Sequence, residues 1–267
     1  MHVHFLDPYR PRNSLVHQLD ARVKFVLALA FILTAALVPA GAWPVYILLF
    51  AVDLSVEILS ELGVVYVLKR SILALPFVLA AVPVIFTIQQ GTTLFSFDIG
   101  PWTLTAYSAG LVRFISIALK SWLSLQMAIV LAASTPFPEL LVAMRALHIP
   151  RLIVAIFSLM WRYLFVLVDE ALRLMRARTA RSGHSDQAGL KTGGSIAWRA
   201  RVTGGMAGSL FLRGIERSDR IYMAMLARGY DGEVRSFPLP ALGRGSWLVL
   251  FLGLLLFIVL LGLSFLI

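Results

Sequence analysis

The chain has 267 residues, of which 59% are hydrophobic and 14% charged, and its formal net charge is +10. Soluble domains carry roughly 25% charged residues, so a soluble fold could not bury this much apolar surface. A bilayer accepts it, because about 20 apolar residues in a helix cross its roughly 30 Å core. The apolar stretches are continuous, which predicts helices rather than a barrel. The absence of cysteine excludes disulfides and thiolate metal sites.

Five stretches of the sequence are predicted to span the membrane. They lie near residues 23–39, 43–59, 71–88, 111–133 and 246–267. The last is the clearest, since it contains no charged residue and begins with a tryptophan that can anchor at the interface. The sequence therefore predicts an all-α polytopic membrane protein with four spans in residues 1–133, a cytoplasmic helical segment at 134–245, and a final span at 246–267.

The distribution of basic residues predicts the orientation of these spans. Four basic residues lie before or at the very start of the first span, Lys69 and Arg70 separate the second from the third, and sixteen of the 24 lie within 134–245. The connections at 40–42 and 89–110 contain none. Because Lys and Arg are retained in the cytoplasm, the N-terminus is expected inside and the C-terminus outside. The net charge then needs no nucleic-acid partner as its explanation.

Two helices are predicted in the first part of the 134–245 segment. The first begins after Thr135 and Pro136, a favourable helix start, and ends before Pro150. The second runs from Arg151 to about Arg181, with an apolar first half and a basic second half. Whether residues 151–168 enter the membrane stays open, although their charged neighbours favour an interfacial or protein-packed helix.

The rest of this segment is predicted to be a connector and a third helix. Glycine is frequent between residues 182 and 209, which is typical of a flexible connector. No glycine-rich loop has the order of a P-loop, so no nucleotide site is expected. The third helix runs from about Leu210 to Arg228 and is stopped by Gly229.

The second and third of these helices end in similar tripeptides. One is Ala180, Arg181, Ser182, and the other is Ala227, Arg228, Gly229. An arginine between small residues at a helix end can enter a groove and form a bidentate pair with a carboxylate. Each tripeptide alone is better explained as an ordinary arginine that ends a helix or extends to the membrane surface.

A wider stretch around the second tripeptide resembles a known family. The run from Glu216 to Gly232 closely resembles the coupling region of the transmembrane T component of energy-coupling-factor transporters, in the cobalt/nickel branch of CbiQ type. The sequence from Leu19 to Lys24 resembles the start of that family's first span, with Ala21 where proline is common. Ser182 stands where the family more often has glycine.

The resemblance implies a non-catalytic subunit of an ATP-driven importer in the bacterial cytoplasmic (inner) membrane. Two cytoplasmic ATPase subunits would bind and hydrolyse ATP, and a separate membrane subunit, with or without a small accessory membrane subunit, would capture the substrate. The T component would link them within the lipid bilayer and carry no cofactor or metal of its own. Arg181 and Arg228, with their small neighbours, would each dock one ATPase.

The resemblance leaves the substrate open between cobalt and nickel, with a vitamin importer as an alternative. Two other function classes remain. A membrane-embedded enzyme would use intramembrane carboxylates, for which the sequence offers only Asp53 and Glu57, and a self-sufficient carrier would show internal repeats. The two carboxylates could mark a polar path or a subunit contact, or they could lie near the cytoplasmic surface. Lys120 could pack against a neighbouring helix or extend to the interface.

Overall fold

The computed structural model describes residues 8–88, 91–99, 102–181, 195–231 and 241–266. It divides into two compact units. The larger unit consists of residues 7–146 and 239–267, and the smaller of residues 1–6 and 147–238.

The larger unit is a helical bundle with one β-hairpin. Its elements, in chain order, are α1 (Leu15–Gln18), α2 (Ala21–Leu37), α3 (Trp43–Leu59), α4 (Val64–Ser71), a 3-10 turn (Ile72–Ala74), α5 (Leu75–Ala80), α6 (Val84–Thr87), β1 (Thr93–Ile99), β2 (Trp102–Tyr107), α7 (Ser108–Ser134), α8 (Phe137–Ala146) and α11 (Arg244–Leu266). The smaller unit supplies α9 (Arg151–Arg181) and α10 (Ile196–Ala227), which lie between α8 and α11 in the sequence.

The core of this bundle lies where α2, α3, α7 and α11 pack together. Phe31 of α2 is fully buried and meets Phe257 of α11 edge to face, with ring centroids 5.9 Å apart. Leu49 of α3 and Leu123 of α7 belong to the same buried cluster. Many large apolar side chains of these helices nevertheless remain exposed, among them Phe251, Ile258 and Leu37. Such a surface is suited to lipid or to other membrane subunits.

The lengths and composition of the helices confirm the prediction of a multi-pass membrane protein. Among the described residues, four helices are long and apolar enough to cross a bilayer: Val64–Thr87, Ser108–Ser134, Arg151–Arg181 and Arg244–Leu266. Helices α2 and α3 have 17 residues each, which is at the short end of the range for a span. The helix bounds lie close to the predicted spans, except that the third begins at Val64 rather than near residue 71. The order in which these helices cross the membrane stays a prediction.

The third apolar stretch is bent rather than straight. Pro76 stands in the first turn of α5 and follows the 3-10 turn, while Pro83 is the N-cap of α6. Proline removes a backbone donor and clashes with the preceding turn, so each one restarts the helix. A Cβ at Gly110 of α7 would lie 2.5 Å from the carbonyl oxygen of Ile85. Only glycine therefore permits this approach of α6 and α7.

The antiparallel hairpin of β1 and β2 lies in a stretch for which the sequence predicted only a connection between spans. Thr93 pairs with Tyr107 and Ile99 with Trp102. The sequence carried a signal, since apolar residues alternate with polar ones at Phe95, Phe97 and Ile99. Apart from this hairpin, the described fold is α-helical as predicted.

The smaller unit contains two long helices, α9 (Arg151–Arg181) and α10 (Ile196–Ala227). Helix α9 has the predicted bounds, whereas α10 corrects a prediction, because residues 196–209 are helical and not a flexible connector. Ser195 caps α10 by accepting a hydrogen bond from the backbone N–H of Trp198 at 3.2 Å. Each glycine in this stretch costs about 1 kcal/mol relative to alanine, and the surrounding helix-forming residues outweigh that cost.

Candidate functional site

Helices α9 and α10 pack side by side in antiparallel register. Arg178, near the end of α9, donates a hydrogen bond to Oγ1 of Thr203, near the start of α10, at 3.1 Å. Leu167 lies 4.0 Å from the position that a Cβ would take at Gly214. Toward the start of α9, Leu159 shares an apolar cleft with residues near the end of α10. The C-terminal ends of the two helices therefore lie on opposite sides of their contact.

A carboxylate holds the middle of this contact. Glu170 of α9 has a side chain that is only 12% exposed, and its two oxygens accept from two different residues of α10. Arg213 donates to Oε1 at 3.1 Å and Arg217 donates to Oε2 at 3.3 Å. The hydrogen bond from Arg213 and the charge of Arg217 lower the pKa of Glu170 below its ordinary value. This carboxyl therefore remains ionised at neutral pH.

The α10 tripeptide forms a Schellman motif. Gly229 has φ +78°, and its N–H donates to the carbonyl of Leu226 at 2.9 Å, while Tyr230 donates to the carbonyl of Met225 at 3.0 Å. These two bonds are the Schellman pattern that satisfies the last carbonyls of a helix. Arg228 is the C-cap residue. The motif fixes the backbone at the point where the exposed arginine side chain leaves the helix.

The structure describes two of the three residues in the tripeptide at the end of α9. Ala180 and Arg181 are exposed in the last turn of α9, and Ser182 lies outside the described residues. The antiparallel register keeps Arg181 and Arg228 apart, so they do not form one joint site. Each arginine lies at its own helix end, and its role in docking stays a prediction.

Both helices also carry exposed apolar stripes at helical spacing. In α9, Leu152, Ile156 and Met160 are 60%, 55% and 51% exposed. In α10, Leu212, Ile215 and Leu226 share one face and are 61%, 45% and 44% exposed, and no residue of Ile196–Ala227 is buried. Two exposed apolar stripes on one pair of helices are typical of a surface that another protein or a membrane covers.

In the larger unit, Lys24 joins the start of α2 to the end of α7. Its ammonium group donates to the carbonyl of Ser134 at 3.1 Å and to that of His17 at 3.5 Å, and the residue is only 6% exposed. Asp20 caps α2 by accepting from the N–H of Arg22 at 2.9 Å. A cation at a helix C-terminus opposes the negative end of the helix dipole. The sequence that opens α2 therefore also fixes the junction between α7 and α8.

The two carboxylates of α3 are buried inside the bundle rather than placed at its surface. Asp53 is 0% and Glu57 2% exposed. Gln126 of the neighbouring α7 is also 0% exposed. Several of their buried polar atoms have no hydrogen-bond partner among the described residues, namely both carboxylate oxygens of Asp53, Oε1 of Glu57, and Oε1 and Nε2 of Gln126. Both carboxylates therefore face the interior of the bundle, and their depth in the membrane stays a prediction.

Lys120 of α7 packs against a neighbouring helix. Its ammonium donates to the carbonyl of Ala36, in the last turn of α2, at 3.0 Å. Of the two alternatives predicted for Lys120, the structure therefore shows packing against a neighbouring helix. Within the described parts of the chain, no group of three or more histidine, cysteine, aspartate or glutamate side chains is arranged to hold a metal ion.

Known proteins resemble this chain over most of its length. The model of a family described as "Cobalt transport protein" (CbiQ) matches residues 12–239. The cobalt transport protein CbiQ of Salmonella typhimurium is 28% identical over 85% of this chain and 97% of its own length. Energy-coupling factor transporter transmembrane proteins EcfT of Exiguobacterium sibiricum and Listeria innocua are 29% and 25% identical, over 95% and 85% of this chain and 94% and 84% of their own lengths.

Proposed function

The chain belongs to the cobalt transport protein family and is a transmembrane component of an energy-coupling transporter, and from this premise we propose that it couples two cytoplasmic ATPases to a substrate-binding membrane subunit that imports cobalt or nickel. The chain itself would be non-catalytic, since ATP would bind to the ATPases. We assign it to the bacterial cytoplasmic membrane, with its N-terminus inside and its C-terminus outside.

The presentation of two arginines at separate helix ends is the observation that carries this proposal. Arg181 and Arg228 are exposed at the C-terminal ends of α9 and α10, on opposite sides of the contact between these helices. An arginine fork suits a groove that offers carboxylates or backbone carbonyls. Two such forks facing opposite ways suit two copies of one ATPase, each with the same groove.

The exposed apolar stripes support the second half of the proposal. Large apolar side chains are exposed along both α9 and α10, and a membrane subunit is the partner that such surfaces fit. When the two ATPases close on ATP, they would draw the two helix ends together and so shift the covered subunit. The helix pair would thus be a movable element whose position both ATPases bias.

Co-purification of the complete transporter tests the docking. With a tag on this chain, the unaltered complex should retain two ATPase copies, Arg228→Glu should lose one, and Arg181→Glu with Arg228→Glu should lose both. Arg162→Glu is the matched control, since Arg162 is an exposed arginine on α9 that lies more than two turns from either end of that helix. If both ATPases remain bound to the doubly altered chain while membrane levels match, these arginines are not the docking points.

An importer of an organic solute such as a vitamin is the second candidate. Two of the relatives are named energy-coupling factor transporter proteins without a metal in their names. Uptake by the complete transporter distinguishes the two candidates. Radioactive cobalt or nickel should accumulate in an ATP-dependent manner if the metal proposal holds, whereas accumulation of a vitamin without either metal would favour the second candidate.

A further inference from the structure

The contact between α9 and α10 depends unusually strongly on one carboxylate. Helix α9 buries only Ala155 and Glu170, and α10 buries no residue between Ile196 and Ala227. Apolar packing is therefore sparse along most of the pair. Glu170 by contrast bonds both Arg213 and Arg217, which stand one turn apart on α10. Charged hydrogen bonds are stronger and more directional than neutral ones.

The position of this carboxylate along the two helices is also distinctive. Eleven residues separate Glu170 from Arg181 along α9, and eleven separate Arg217 from Arg228 along α10. At 1.5 Å per residue, each arm is about 16 Å long. Because the helices are antiparallel, the two arms extend in opposite directions from the same contact. Glu170 thus lies at the middle of a two-armed element.

We propose that Glu170 is a positioning residue that ties the two arms together, so that displacement of one arginine-bearing end is passed to the other. The proposal rests on the proposed function of Arg181 and Arg228 and adds the means by which their movements are joined. Without the contact of Glu170, the ATPase bound to each helix could displace that helix without moving the other. ATP would then be hydrolysed with little concerted movement of the pair.

A change that removes only the charge tests this role. Glu170→Gln keeps the size of the side chain but loses its attraction for both arginines. The complete transporter with this change, reconstituted in proteoliposomes, should retain both ATPases and hydrolyse ATP, while metal uptake per ATP falls about fivefold. Asp169→Asn is the matched control, because Asp169 is the neighbouring acid on α9 and its side chain is exposed. Its uptake per ATP should equal that of the unaltered transporter.

Exchange of the charges provides a second test. Glu170→Arg alone should reduce uptake per ATP at least as much, and adding Arg217→Glu should restore most of it, because the pair is rebuilt with opposite polarity. Arg213 does not prevent this, since its side chain is 54% exposed and can turn to solvent. Rescue is the result that a general loss of packing would not give.

The outcomes separate this proposal from the docking of the ATPases. If Glu170→Gln keeps full uptake per ATP while Arg228→Glu still loses an ATPase, Glu170 does not couple the two helices. The proposed docking of the ATPases at the two arginines is then unaffected. Loss of the ATPases from Glu170→Gln also overturns the tie, because the residue would then act on assembly. If Arg228→Glu and Arg181→Glu leave both ATPases bound, the proposed function fails instead. Reduced uptake per ATP with both ATPases bound, restored by the charge exchange, supports the tie.

Discussion

Replacement of Lys24 by methionine should weaken the junction between α2 and α7. Methionine keeps much of the length of the aliphatic side chain but removes the ammonium that donates to Ser134 at 3.1 Å and to His17 at 3.5 Å. A hydrogen bond to a charged group contributes about 1.5–3 kcal/mol to the free energy of unfolding. Because burying the ammonium also costs desolvation energy, its removal offsets part of this loss. A net loss of about 2 kcal/mol lowers the melting temperature by roughly 4–8 °C for a domain of about 150–250 residues.

The assay for this prediction is thermal loss of the folded transporter in detergent. Samples are heated and then separated by size-exclusion chromatography, with a fluorescent tag on this chain. Lys69→Met is the control, because Lys69 is an exposed lysine at the end of α4, and exposed substitutions usually change stability by less than about 0.5 kcal/mol. Equal melting temperatures for the two variants would refute the role assigned to Lys24.

Three further predictions concern packing, topology and pH. Gly110→Ala should destabilise the bundle by about 1–3 kcal/mol, because the new Cβ would meet the α6 backbone, whereas Gly262→Ala should be tolerated, since nothing lies within 4 Å of its Cβ position; equal melting temperatures would contradict this. Since the chain has no cysteine of its own, an impermeant thiol reagent should label Ala40→Cys from outside the cell but Lys69→Cys only after permeabilisation, and the opposite pattern would reverse the proposed orientation. The pKa of Glu170 is lowered from 4.5, so its contribution to stability is present above about pH 4.5 and is lost as pH falls through the lowered value. The difference in uptake per ATP between the unaltered transporter and Glu170→Gln should therefore stay constant between about pH 6 and pH 8, and a difference that disappeared within this range would contradict the assignment.

The larger features of the fold could be predicted because they follow from local sequence. Continuous apolar runs predicted most of the helices of the bundle, and Pro150 predicted the break before α9. The start of α10 is not evident from the sequence, because Gly204, Gly205 and Gly208 disfavour a helix and outnumber the single cap at Ser195. A single strong cap and good helix formers can override several glycines, whose individual costs are about 1 kcal/mol.

The two arginine-bearing helix ends of the candidate site could be predicted from the sequence, whereas the contact of Glu170 between the helices could not. The tripeptides at Arg181 and Arg228 are contiguous in sequence, so they could be read without a structure. The contact of Glu170 with Arg213 and Arg217 joins residues more than forty positions apart. Only the arginine spacing of four, which places both on one helix face, was visible beforehand. Their common partner depends on how the two helices pack.

Simultaneous measurement of metal uptake and ATP hydrolysis in proteoliposomes tests the central claim most directly. The complete transporter with unaltered chain should import cobalt or nickel in proportion to the ATP it hydrolyses. The same transporter with Arg181→Glu and Arg228→Glu in this chain should import neither metal, although the chain remains in the membrane. Undiminished ATP-driven uptake by the altered transporter would contradict the claim that these two helix ends couple the ATPases to transport.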